Sequence, residues 1–236
     1  MILSTMNGTY KTPGIGIGGT HVLRGSTVAT GNGRYQAQPT IRLFLLSALL
    51  LLTGACNPAY EYKGAVVDPL RKAPEIVGTN WDDSSFRLSD HRGKAVILFF
   101  GYTSCPDICP FTLHRMKRLY AQLGPQAEEL AVVFVSVDPD RDSKDKLGKY
   151  VPGFDPRFFG PYLGRSLSAT MRAYDVVAKK QKPQSSGFYA VDHTGTIFVI
   201  DPQGMLHLKF PHDAPVDDLL PDVLHLLKST TDAQGT

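Results

Sequence analysis

Cysteine and tryptophan are scarce in this chain of 236 residues, which has three of the first and one of the second. So few cysteines exclude a disulfide-dense scaffold. With only 22 glycines and 17 prolines a collagen-like repeat is excluded too, and a hydrophobic share of 42% is too high for a wholly disordered chain. No internal repeat is visible. Acidic residues are missing from positions 1–55, which hold only the basic Lys11, Arg24, Arg34 and Arg42. Taking those four from the 25 basic residues leaves 21 against 22 acidic, so the formal charge of +3 resides in the first 55 positions. A near-neutral remainder removes the support for nucleic-acid binding.

What is present begins with a leader, residues 1–56. Up to Thr40 it is rich in Gly, Thr and Ser without a hydrophobic period. Gly14 to Gly19 carries the letters of a dinucleotide fingerprint, but no strand precedes it and no helix follows, so no nucleotide site is expected. Arg42, the apolar stretch Leu43 to Leu52 and the small residues Thr53-Gly54-Ala55 before Cys56 describe an export signal. The stretch is short of the roughly 20 apolar residues of a membrane span. Its end resembles the bacterial lipobox, with Leu52 one position further from the cysteine than usual. Lipidation of Cys56 is therefore expected, placing the protein in the bacterial cell envelope, lipid-anchored at the periplasmic face of the inner membrane. Forty residues ahead of a signal is unusual, and a start further downstream is expected. No Met lies between Met6 and Met116, so that start would use another codon.

Residues 57–77, with Pro58, Pro69 and Pro74, read as a flexible tether, and a single domain over 78–230 follows. Phe86 to Leu88 alternates as a short strand. Ala95 to Phe100 and Leu130 to Val137 are unbroken apolar runs, as central strands covered on both faces require. Leu113, Met116, Leu119, Tyr120 and Leu123 predict a helix over 111–123. Asp142 or Ser143 caps a further helix reaching Tyr150, and another is predicted over 167–174. Phe188–Val191 and Thr196–Ile200 read as a hairpin around Asp192-His193-Thr194-Gly195, and Met205–Leu208 as a strand after the turn at Asp201–Gly204. An amphipathic helix covers 215–228. The order βαβα, hairpin, helix predicts an α/β fold with one mixed sheet.

The most informative segment is Gly101-Tyr102-Thr103-Ser104-Cys105-Pro106-Asp107-Ile108-Cys109-Pro110, between the first buried strand and a helix. Pro110 suits a first helical position, which places both cysteines in the loop and cap. There the helix N-terminus favours thiolate, the form that attacks disulfides and binds metal. Thiolates suit copper(I) and imidazole suits copper(II) as well as zinc, so two sulfurs and one nitrogen would tolerate both copper states. A plain stabilising disulfide is the simpler alternative, although so small a loop constrains the unfolded chain little. Among seven histidines, His193 stands out by its place in a tight turn; packed or solvated roles suit His114, His207 and His225.

The segments GYTSCPDICP (101–110), SVDPDRD (136–142) and VDHT (191–194), in this order and spacing, resemble the SCO/SenC family, thioredoxin-fold proteins that help assemble cytochrome c oxidase. The resemblance covers about 73–228. It implies a thioredoxin-like fold, a central mixed sheet flanked by helices with an extra β-hairpin. It also implies Cys105 and Cys109 as redox pair and copper ligands, with His193 as the third ligand, and delivery of copper to the binuclear centre of oxidase subunit II. Asp138, Asp140 and Asp142 alternate as in a calcium loop, but Ser143 and Lys149 stand where such a loop needs Gly and Glu. Helix capping is the ordinary explanation for them.

A copper metallochaperone is therefore the expected function. The alternative is a thiol–disulfide oxidoreductase that reduces the oxidase subunit's copper-site cysteines and is itself served by a thioredoxin-like reductant. The three residues between Cys105 and Cys109 count against a general catalyst, since thioredoxins use two. A thiol peroxidase is disfavoured because Thr103-Ser104-Cys105 is one residue short of its spacing.

Overall fold

The computed structural model describes residues 60–234; the leader with Cys56 lies outside them. The chain forms β1 (Ala65–Lys72), β2 (Val77–Thr79), β3 (Ser85–Arg87), β4 (Ala95–Gly101), α1 (Ile108–Leu123), β5 (Leu130–Ser136), α2 (Lys144–Tyr150), α3 (Leu167–Ala173), β6 (Ala178–Lys180), β7 (Val191–His193), β8 (Thr196–Ile200), β9 (Met205–Pro211) and α4 (Val216–Gln234). A five-stranded mixed sheet, ordered β1-β9-β8-β4-β5, is the centre. β4 and β5 run parallel, with Phe99 opposite Phe134, and the other pairings are antiparallel.

The two unbroken apolar runs are β4 and β5, and every residue of both is buried. On one face of the sheet the Phe134 ring lies between Phe99 and Tyr150 of α2. On the other, Phe100 and Phe198 pack edge to face or tilted against Tyr174, which follows α3. Each such ring, fully removed from water, stabilises the fold by about 1.5–3 kcal/mol relative to exposure. Helix α1 buries Leu113, Met116, Leu119, Tyr120 and Leu123, the stripe expected from its period. It stops at Gly124, whose φ of 56° suits a residue without a side chain.

Three expectations are corrected. Residues 57–77 are not all tether: 65–72 form edge strand β1, paired with β9. Pro69 hides the strand in the sequence, but it lies inside the register break between Val66 and Arg71, where no ladder amide is needed. Just before β1, the fully buried carboxylate of Asp222 on α4 accepts the amides of Lys63 (2.9 Å) and Gly64 (2.9 Å) and the Tyr60 hydroxyl (2.7 Å). The Tyr60 ring stacks on His225 at 3.8 Å.

The second correction concerns the hairpin. β8 does not pair with the segment before it. Its residues from Ile197 to Ile200 are all buried and insert between β4 and β9. The short, polar β7 instead pairs with β6, Ala178 opposite His193, and this is the extra hairpin beside the main sheet. Third, α1 begins at Ile108, so Cys109 lies in its first turn and Pro110 is its third residue. Capping of α2 follows expectation: the Ser143 side chain accepts from the Lys146 amide.

Candidate functional site

β4 ends at Gly101, and residues 102–107 loop over the end of the sheet into α1. Cys105 lies half-buried in this loop and Cys109 is fully buried in the helix; both are free thiols. Gly101 is required by close approach. A Cβ there would stand 2.8 Å from the Cys109 sulfur and 2.7 Å from the Phe134 ring.

The two thiols are electrostatically unequal. Cys105 is pulled down to about 5, chiefly because the Cys109 thiol donates a hydrogen bond to its sulfur. The amides of Cys109 and Asp107 and the Tyr102 hydroxyl add further donors. Free amides at a helix start stabilise an anion in this way. Cys109 moves upward: it is the donor to Cys105, and its burial disfavours charge. At neutral pH the pair is one thiolate and one thiol that share a proton contact.

Strand β7 brings His193 to this pair. Its Nε2 lies 3.8 Å from Cys109 Sγ, while Nδ1 is 3.1 Å from the Thr194 carbonyl. A carbonyl only accepts, so Nδ1 carries the proton and donates. In the neutral ring that tautomer turns the Nε2 lone pair toward the sulfur. The imidazole is held edge-on by Tyr102 and Phe99, with ring centroids at 5.9 and 6.2 Å. Among the described residues no three His, Cys, Asp or Glu side chains form a preformed metal cage. The structure joins Cys109 to both Cys105 and His193, and Cys109 is the shared member.

The other described histidines have partners elsewhere. His91 and His114 pack on Phe159 and Phe154, His207 lies 3.1 Å from Asp201, and His225 stacks on Tyr60. His212 lends its carbonyl to Thr112 and Arg115. His193 is the final residue of a strand here, whereas a tight turn was expected. Sequence reasoning missed Tyr102, which packs edge-on against His193 and whose hydroxyl helps to lower the Cys105 thiol. Its place three residues before the cysteine was a signal, but only the fold brings His193 alongside.

A thioredoxin-like domain with an acidic thiolate and a buried thiol at a helix start, joined by an imidazole from an added hairpin, is a defined class of thiol site. Residues 71–228 match the SCO1/SenC family model, and the chain belongs to that family. A protein of Stutzerimonas stutzeri named for copper binding is 31% identical over 182 residues, 71% of this chain and 88% of that one. The human mitochondrial SCO2 homolog is 32% identical over 133 residues, and the matched part spans 50% of its length. The chain thus covers about half of the mitochondrial relatives. In structure it is similar to the apo Sco1 protein of Thermus thermophilus, with TM-score 0.64, 32% identity, and coverage of 72% of this chain and 99% of that one. It is also similar to copper-bound ScoI of Bradyrhizobium japonicum, with TM-score 0.60, 28% identity, and coverage of 66% and 99%.

Proposed function

We propose that the chain is a membrane-tethered copper metallochaperone. Copper, as Cu(I) or Cu(II), is held by the sulfurs of Cys105 and Cys109 and by His193 Nε2, then passed to the binuclear copper centre of cytochrome c oxidase subunit II. The observation that carries this reading is the contact between Cys109 Sγ and His193 Nε2, with Nδ1 turned to the Thr194 carbonyl. A carbonyl that accepts from Nδ1, as Thr194 does here, is the usual device for orienting a ligating imidazole. Two soft sulfurs favour Cu(I), and the nitrogen makes Cu(II) acceptable. Binding displaces the Cys109 proton, so uptake is coupled to proton release and needs the reduced pair. The half-exposed Cys105 is open to ligand exchange with a partner. The names of the Stutzerimonas and Bradyrhizobium relatives, one given for copper binding and one determined with copper bound, support the metal. Cys56 serves as the lipidated anchor at the periplasmic face of the bacterial inner membrane.

The asymmetry of the thiols favours a second reading, a thiol–disulfide reductase of the oxidase subunit's cysteines. The Cys105 thiolate attacks the partner disulfide, forming a mixed disulfide and releasing one partner thiolate. Cys109 then gives its proton to the released thiolate, attacks Cys105 Sγ and releases the second thiolate. The partner gains two electrons, the pair closes as a disulfide, and a thioredoxin-like reductant reopens it.

The readings separate on His193→Ala and Cys105→Ser. Copper titration of the purified protein and oxidase copper content in cells are the measurements. The chaperone reading expects His193→Ala to weaken copper binding and lower oxidase copper. If His193→Ala leaves both unchanged while Cys105→Ser abolishes assembly, the redox reading replaces it.

A further inference from the structure

The turn after β5 carries three aspartates for which the sequence offered only a failed calcium loop or helix capping. Ser143 supplies the cap of α2. Asp140 is exposed and pairs with Lys180, whereas Asp138 and Asp142 are fully buried. Buried carboxylates are costly unless several donors meet them, so their partners show what they are for.

Asp142 faces the thiol loop. It accepts the Thr103 amide at 2.8 Å, the Thr103 hydroxyl at 2.5 Å and the Ser136 hydroxyl at 2.6 Å. Lys146 Nζ lies 3.3 Å from it and also donates to Ser104 Oγ at 3.1 Å. The two residues immediately before Cys105 are thus tied to this one carboxylate and its lysine.

Asp138 faces the other way, toward the hairpin of β6 and β7. It accepts the Tyr189 hydroxyl at 2.9 Å, and Lys180 Nζ stands 3.7 Å away. Arg141 Nε donates to it at 2.5 Å, with the guanidinium 3.5 Å over the Tyr189 ring and 5.6 Å from Tyr102. Tyr189 and Lys180 flank β7, whose last residue is His193. Ser136 couples the two acids: its hydroxyl donates to Asp142 and accepts the Asp138 amide at 3.1 Å.

We infer that this turn is a positioning hub: Asp142 holds the loop bearing Cys105, Asp138 holds the hairpin bearing His193, and their shared backbone sets the separation of sulfur and imidazole. Neither aspartate touches the sulfurs or the imidazole; both are positioning residues. Their use as copper-site supports rests on the ligand set proposed above.

The test uses the full reduced chain with Asp142→Asn, Tyr189→Phe, Thr103→Val and Thr103→Ser. Amide hydrogen exchange is followed at Thr103 and, for the hairpin, at Gln181 and Thr194, whose amides bond across it. Copper(I) affinity is measured by chelator competition. Asp142→Asn should speed Thr103 exchange about tenfold and spare the hairpin, Tyr189→Phe should do the reverse, and each should weaken copper about tenfold, as supporting residues commonly do. Thr103→Ser keeps the hydroxyl and should stay within about twofold of wild type, with Thr103→Val intermediate. Should Asp142→Asn fail to fold, Thr103→Val, which removes one of its bonds, carries the test of that arm. If the folded variants lose only melting temperature, with exchange and copper affinity unchanged, the hub is overturned. If wild type takes up no copper, the ligand assignment falls, and the two exchange patterns alone uphold or overturn the hub.

Discussion

Cys109 Sγ and His193 Nε2 stand 3.8 Å apart although 84 positions separate them in the chain. The sulfur comes from the first turn of α1 and the nitrogen from the end of β7, and no secondary-structure element contains both. Everything that keeps these two atoms together is tertiary, and each expectation below probes one part of it.

The acidity of Cys105 should be visible in its chemistry. Alkylation by iodoacetamide should stay fast through neutral pH and fall only as pH approaches about 5. Cys109→Ala removes the largest cause of the shift, so the midpoint should rise toward the ordinary 9.0. The same shift acts on stability. Folding lowers this ionisation, so its contribution is complete above about 9 and is lost as pH falls toward about 5. The stability difference between reduced wild type and Cys105→Ser, followed by urea melts, should shrink across that window.

Gly101→Ala should move the buried sulfur. The new methyl would meet Cys109 Sγ at 2.8 Å and the Phe134 ring at 2.7 Å, and a closed core has no space to receive it. A stability loss of about 1–3 kcal/mol is expected. Copper uptake should weaken in the same variant; unchanged uptake would show that the sulfur has other places to go.

Phe134→Ala tests the floor beneath the site. The ring is fully buried between Phe99 and Tyr150, and its removal should cost about 3–5 kcal/mol in a denaturant melt. A loss below about 1 kcal/mol would mean that this face closes over the gap.

Asp222→Asn should loosen the entry into the domain while sparing the thiols. An amide oxygen can accept some of the bonds from Lys63, Gly64 and Tyr60 but lacks the charge that strengthens them. A cost of about 1–3 kcal/mol is expected, with faster tryptic cleavage after Lys63 read by mass spectrometry. The Cys105 alkylation profile should not move. An unchanged cleavage rate would mean that residues 60–64 are held by β1 alone.

Much of this molecule is written locally. The apolar runs at 95–100 and 130–137 require strands buried on both faces, and the spacing of Leu113, Met116 and Leu123 requires a helix with one covered face, because side-chain period follows directly from backbone geometry. The edge strand β1 escaped that logic. Its residues are mostly exposed, and Pro69 imitates a linker. The hairpin was placed one strand too far along for a related reason. Pairing partners are chosen by which segments can bury their apolar residues, and Ile197–Ile200 found theirs in the central sheet.

The division is the same at the site. Sequence alone singled out the cysteine pair, but its expectation of thiolate at both sulfurs holds only for Cys105: the helix-borne Cys109 is buried and shifted upward. Only the tertiary structure decided which sulfur keeps its proton, which of the histidines meets it, and that Asp142 and Asp138 are spent on holding loop and hairpin rather than on capping. The imidazole contact and the buried carboxylate bonds to loop and hairpin depend on distances of a few ångströms between segments far apart in the chain. Strand order and packing set those distances, and no local pattern encodes them.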